Sequence, residues 1–102
     1  MTEEKKEERV FSTRDLYLAS TLVTLKFPVI RIDMQIEGIK PKAIGYFNFI
    51  DTVELHNARG QYNQGMILVE PRMYINNLQS LKAEVINMQN NPMSDYNQDT
   101  RK

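Results

Sequence analysis

Residues 29–50 read VIRIDMQIEGIKPKAIGYFNFI, and the fold is decided by this stretch. Ile30, Ile32, Met34 and Ile36 alternate with Arg31, Asp33, Gln35 and Glu37, the period of two that gives a strand one buried and one wet face. Gly38, Ile39, Lys40, Pro41 and Lys42 follow, and glycine and proline supply the dihedrals of a reversal, so the pattern predicts an antiparallel hairpin. Ala43 to Ile50 is the return strand. Its Ala43, Gly45, Phe47 and Phe49 make one face, while Ile44, Tyr46, Asn48 and Ile50 make the other, and neither looks made for water. With Phe47 and Phe49 turned to the core, Ile44, Tyr46 and Ile50 face outward beside Arg31, Asp33, Gln35 and Glu37.

Outward from the hairpin, helices are signalled on both sides. Upstream, Ser12-Thr13-Arg14-Asp15 offers hydroxyls to cap free N–H groups and an acid for the positively polarised first turn, so a helix is expected from here to about Lys26. Leu18, Leu22 and Leu25 recur at helical spacing, with Leu16, Ala19 and Val23 beside them in a wide apolar arc. Phe27-Pro28 ends it, because the residue before proline is pushed out of helical dihedrals. Downstream, Asp51-Thr52-Val53-Glu54 has capping-box character with Asp51 as the acidic N-cap, and Leu55, Ala58 and Tyr62 follow at helical offsets. Gly65 is the expected left-handed terminator of this second helix. Met66 to Val69 is a short apolar run that makes either a third strand or an extended link. Pro71 suits the first turn of a last helix whose Tyr74, Leu78, Leu81, Val85 and Met88 form one stripe, with Ile75 and Ile86 broadening it for burial. The expected fold class is α+β: helix, antiparallel β-hairpin, helix, short extended segment and long helix. The helices pack on the small sheet, since two strands alone are not stable.

The 102 residues suit one domain, and 13 Lys plus Arg balance 13 Asp plus Glu, so no polyanion partner is announced by net charge. Residues 1–9 are expected to be a disordered charged leader, residues 10–89 a single α+β domain, and residues 90–102 a flexible C-terminal tail rich in turn formers. No apolar run approaches the roughly 20 residues that span a bilayer, and MTEEKKEERV has no secretory apolar segment, so a cytoplasmic protein without a membrane partner is expected.

Three features together resemble an uncharacterised family of small bacterial and phage domains. They are Thr13-Arg14-Asp15-Leu16-Tyr17-Leu18-Ala19, Phe47-Asn48-Phe49-Ile50-Asp51, and Val69-Glu70-Pro71 leading through Tyr74 to Leu81-Lys82. Tyr62-Asn63-Gln64-Gly65 fits the same setting. The resemblance spans Thr13 to Lys82 and implies an accessory protein of bacteria or mobile elements, a family to which no activity is assigned.

The residues offer little for catalysis. Without cysteine there is no disulfide, no thiolate nucleophile and no thiolate zinc site, and the single histidine, His56, has Glu54 two positions away, on a different helical face. The acids are scattered without the spacing of a calcium loop, and Gly38, Gly45, Gly60 and Gly65 form no phosphate-cradling loop. We therefore expect no catalytic residue, no cofactor and no metal. Two binding readings remain. The first is a protein interface, to a partner or a second copy, built on Ile44, Tyr46 and Ile50 as an apolar strip with a polar rim, or on pairing through a strand edge of the hairpin or of Met66 to Val69. In the bland version of that reading, another helix of the same chain covers the strip. The second is a single-stranded nucleic-acid module in which Arg31, Lys40 and Lys42 surround the ring of Tyr46.

Overall fold

The computed structural model describes residues 9–90. The expected leader and tail lie, apart from Arg9 and Asn90, outside the described residues. In chain order the elements are β1 (Val10–Thr13), α1 (Leu16–Thr24), β2 (Val29–Glu37), β3 (Lys42–Ile50), α2 (Val53–Asn63) and α3 (Pro71–Asn90). They form the α+β fold the residue pattern predicts, with one strand more than the hairpin alone.

The hairpin is present, with Ile32 opposite Phe47, Met34 opposite Gly45 and Glu37 opposite Lys42. A bulge between Val29 and Arg31 leaves Ile30 as the extra residue, which bends the start of β2. The third strand is β1, antiparallel to β3 with Phe11 opposite Phe49 and Thr13 opposite Phe47, so the sheet order is β1-β3-β2. Ser12 and Thr13 are thus strand residues and not a helix cap. Ordered pairing reaches back to Arg9, whose carbonyl accepts the Asp51 N–H at 2.8 Å. Met66 to Val69 forms no strand and serves as the link to α3.

The helix ends follow local chemistry. Asp15 caps α1, its Oδ1 accepting the N–H groups of Tyr17 (2.9 Å) and Leu18 (3.2 Å). The helix stops at Thr24, short of the expected Lys26, in a Schellman arrangement. Lys26 takes φ 82°, its N–H donates to Val23 O, and the Phe27 N–H donates to Leu22 O. In α2 the cap is Thr52, whose Oγ1 accepts the Leu55 N–H, and not Asp51. Gly65, at φ 73°, ends α2 by the same device, with the Met66 N–H donating to Gln61 O.

All three helices lie on the Phe47/Phe49 side of the sheet. Phe47 and Phe49 join Leu18, Ala19, Leu22, Leu55, Ala58 and Leu81 in one core. The inner helix is α1, packed most extensively on α3, and its buried Ser20, Thr21 and Thr24 donate their hydroxyls to the carbonyls of Leu16, Tyr17 and Ser20. Small side chains with internally satisfied hydroxyls let the helices approach closely without stranding a polar atom. Asn77 of α3 then donates to Thr24 Oγ1 at 3.0 Å across the helix pair. Gly45 gives α3 its seat on the sheet, since a Cβ there would stand 3.0 Å from Val85 Cγ2. Ile75 and Ile86 do not broaden the buried stripe; they are 51% and 41% exposed, because only one side of α3 meets α1 and the sheet.

Candidate functional site

The face of the sheet turned away from the helices carries Val10 and Ser12 of β1, Ile44, Tyr46, Asn48 and Ile50 of β3, and Arg31, Asp33, Gln35 and Glu37 of β2. Strand alternation puts them there, since each is opposite or next-but-one to another of the set. The hairpin is therefore not sandwiched between helices. Among the described residues the helices pack on the Phe47/Phe49 face; on the other, Ile44, Tyr46 and Ile50 are half-buried, and Ile44 also borders a hollow with Val85 and Ile86 of α3.

Polar side chains knit this face together. Asn48, at its centre and only 2% exposed, accepts the Ser12 hydroxyl on Oδ1. Its Nδ2 donates to Asp33 Oδ2 at 3.0 Å and to Arg31 O at 3.2 Å. One side chain thus ties β1 and β2 to β3. Arg31 Nε donates to Asp33 at 3.2 Å, and at the hairpin end Tyr46 Oη donates to Glu37 Oε2 at 2.6 Å while Arg14 reaches Glu37 Oε1 at 3.2 Å. The bond to Glu37 holds the Tyr46 proton and pushes its pKa above the ordinary tyrosine value, with desolvation and the Glu37 charge acting the same way. What the residue pattern suggested as an apolar strip with a polar rim is a hydrogen-bonded polar lattice with Ile44 and Ile50 set into it.

The residues of the nucleic-acid reading do not form one cationic groove. Arg31 is engaged by Asp33, Tyr46 by Glu37, and Lys42 stands opposite Glu37 in the ladder, while Lys40 sits in the exposed turn. His56 is exposed on α2 and borders a small hollow with Arg9, Asp51, Thr52 and Val53. Among the described residues no group of three or more His, Cys, Asp or Glu comes close enough to hold a metal ion, and no helix is long and apolar enough to cross a membrane.

Two features escaped the residue pattern. The first is Asn48 as the hub of the lattice; its place in an otherwise apolar strand run was the available signal. The second is the groove beside the outer edge of β2, a hairpin edge already expected as a pairing route. Among the described residues no strand pairs along that edge, and the groove between it and α3, of ≈ 590 Å³, is bordered by Val23, Val29, Ile30, Ile32, Leu81 and Met88. Only a three-stranded order that leaves β2 at the edge exposes it.

Fold and site together define a two-layer α+β domain whose sheet, among the described residues, is helix-covered on one side. Compared with known proteins, the chain matches no family model, no curated protein and no solved structure.

Proposed function

We propose that this is a small non-enzymatic accessory protein that acts by associating with protein, its own copy or another chain, through the strand layer its helices leave open. One observation carries the reading: the core helices all lie against the Phe47/Phe49 face, so the opposite face and the β2 edge have no cover from the described chain. Sheet surfaces of this kind, part apolar and part fixed hydrogen-bonding groups, suit the mixed polar and apolar character of a non-obligate protein interface. Ile44, Tyr46 and Ile50 supply the apolar part, and the bonds of Tyr46 to Glu37 and of Asn48 to Asp33 hold its donors and acceptors in place before any partner arrives. Such pre-ordering lowers the entropy that association must overcome. The nucleic-acid alternative draws less support, because Arg31 is paired with Asp33 and Lys42 stands opposite Glu37 in the ladder, and phosphate binding rests on unneutralised positive charge.

Light scattering on the purified chain, with affinity capture from the native host before and after nuclease treatment, tests the proposal. Tyr46→Glu with Ile50→Glu is expected to reduce the associated mass or the nuclease-resistant capture while circular dichroism stays unchanged. A chain that is monomeric at every concentration, and whose capture vanishes with nuclease, refutes it.

A further inference from the structure

The open side of β2 is self-complementary. Pairing alternates along β3. Asp51, the residue after it, sends its N–H to Arg9 beside β1, and Ala43 presents its carbonyl on that same side, to Gln89 Nε2 at 2.8 Å. Odd-numbered residues of β3 therefore direct their backbone groups towards β1, and Ile44, Tyr46 and Asn48 direct theirs towards β2, opposite Gln35, Asp33 and Arg31. It follows that Ile32, Met34 and Ile36 turn their N–H and C=O groups to the free edge, three residues in a regular run beyond the bulge.

Reversed about Met34, the run Arg31-Ile32-Asp33-Met34-Gln35-Ile36-Glu37 keeps its apolar positions and exchanges Arg31 with Glu37 and Asp33 with Gln35. Centred on Met34, an antiparallel copy sets Met34 opposite Met34, Ile32 opposite Ile36, Asp33 opposite Gln35, and Arg31 opposite Glu37 at both ends. Opposite charges so placed favour the pair, whereas a shift of one residue towards the N-terminus sets Asp33 against Asp33 and is disfavoured. The same register accounts for the most exposed isoleucines of the edge. Ile36 is 67% exposed and Ile39, in the turn, is fully exposed. With Met34 at the centre Ile36 comes opposite Ile32, which borders the groove between β2 and α3, and Ile39 follows beyond the paired strand. The apolar end of each strand thus meets the apolar groove of the other.

We infer that a second copy of this chain pairs along β2, antiparallel and centred on Met34, making one six-stranded sheet across a two-fold axis with the helices of both copies on the same side. This rests on the association reading above and names its partner. Continuous backbone pairing supplies affinity, and the isoleucine-to-groove contacts set the register.

The absence of cysteine makes the register directly testable. In Met34→Cys the two thiols stand opposite one another, about 5.5 Å between Cα atoms, within the span a disulfide bridges. Ile32→Cys and Ile36→Cys, each alone, place like thiols four steps apart, about 13 Å, and form no bridge, but mixed together they cross-link as a heterodimer. The expected result is a mass twice 12.0 kDa for the unmodified chain, oxidised dimer from Met34→Cys, and dimer from the Ile32→Cys and Ile36→Cys pair only on mixing. Circular dichroism confirms that each variant is folded, and if one is not, the other two still decide the register. A monomeric chain overturns the inference. Association without these cross-links overturns it too while leaving the broader association reading standing, and a chain that is both monomeric and without a protein partner overturns both.

Discussion

Asn48 is the side chain on which the three strands depend most visibly. Its Oδ1 accepts the Ser12 hydroxyl, and its Nδ2 donates to Asp33 Oδ2 at 3.0 Å and Arg31 O at 3.2 Å. A net hydrogen bond contributes about 0.5–1.5 kcal/mol, and more to a charged acceptor. Ser12 is exposed and the Asp33 side chain is 44% exposed, so both recover water when Asn48 is lost, and the charged bond is discounted accordingly. Asn48→Ala is therefore expected to cost about 2–3 kcal/mol, to which lost β-propensity contributes. For a domain of this size that lowers the thermal midpoint by roughly 10–20 °C. Asn48→Asp is the sharper variant. It keeps the acceptor for Ser12 but removes the Nδ2 bonds and sets a second carboxylate beside Asp33, so at neutral pH it should destabilise more than alanine does, and recover in part as the pH falls through the carboxylate range. Urea denaturation of the three proteins at pH 7 and pH 4 measures the order. If Asn48→Asp equals the parent at pH 7, or if alanine costs less than about 0.5 kcal/mol, the smallest value a single net bond contributes, the lattice does not hold the strands as described.

The remaining expectations are simpler. Gly45→Ala puts a Cβ 3.0 Å from Val85 Cγ2 and 3.2 Å from Cγ1, so it should cost about 1–3 kcal/mol by overpacking. Adding Val85→Ala should restore part of that loss, and strictly additive costs in a double-mutant cycle by urea unfolding would disprove the contact. Tyr62 and Tyr74 have pKa values raised chiefly by burial, and Tyr46 has one raised chiefly by its bond to Glu37. For each, the unfolded chain ionises first as pH rises past about 10, so the stability present below that pH is lost above it. The urea midpoint should thus fall between pH 9 and pH 11, and fall less in Tyr62→Phe; a midpoint indifferent to pH across this range would contradict the burial of these rings.

Much of the fold is written in local chemistry. The alternation of Ile32, Met34 and Ile36 with polar neighbours, the glycine at position 65 and the proline at position 71 each impose a dihedral or a periodicity on a few adjacent residues, and the hairpin, the end of α2 and the start of α3 stand where those signals lie. The burial of Phe47 and Phe49 was legible too, because no other face of the hairpin carries paired aromatic rings. Signals that compete within a few residues were not decisive. Ser12 and Thr13 are as good at capping a helix as at pairing in a strand, and Val10–Thr13 is too short to declare a period; the groups β3 turns away from β2 made it a strand. Asp51 and Thr52 are both competent caps, and the backbone path out of β3 selected Thr52.

What tertiary structure alone decided is which surfaces stay open. Both faces of β3 are apolar enough to be covered, and the helices took the side where Gly45 lets Val85 approach while Asn48 gathered Ser12, Asp33 and Arg31 on the other. The open edge of β2 follows from β1 joining β3 at the opposite side, a pairing between residues some 40 positions apart. Local propensity has no knowledge of such distant neighbours. The seven-residue run from Arg31 to Glu37 carries its mirrored apolar positions and opposed end charges in the sequence, but only the order of the strands leaves that run, among the described residues, with an unpaired side.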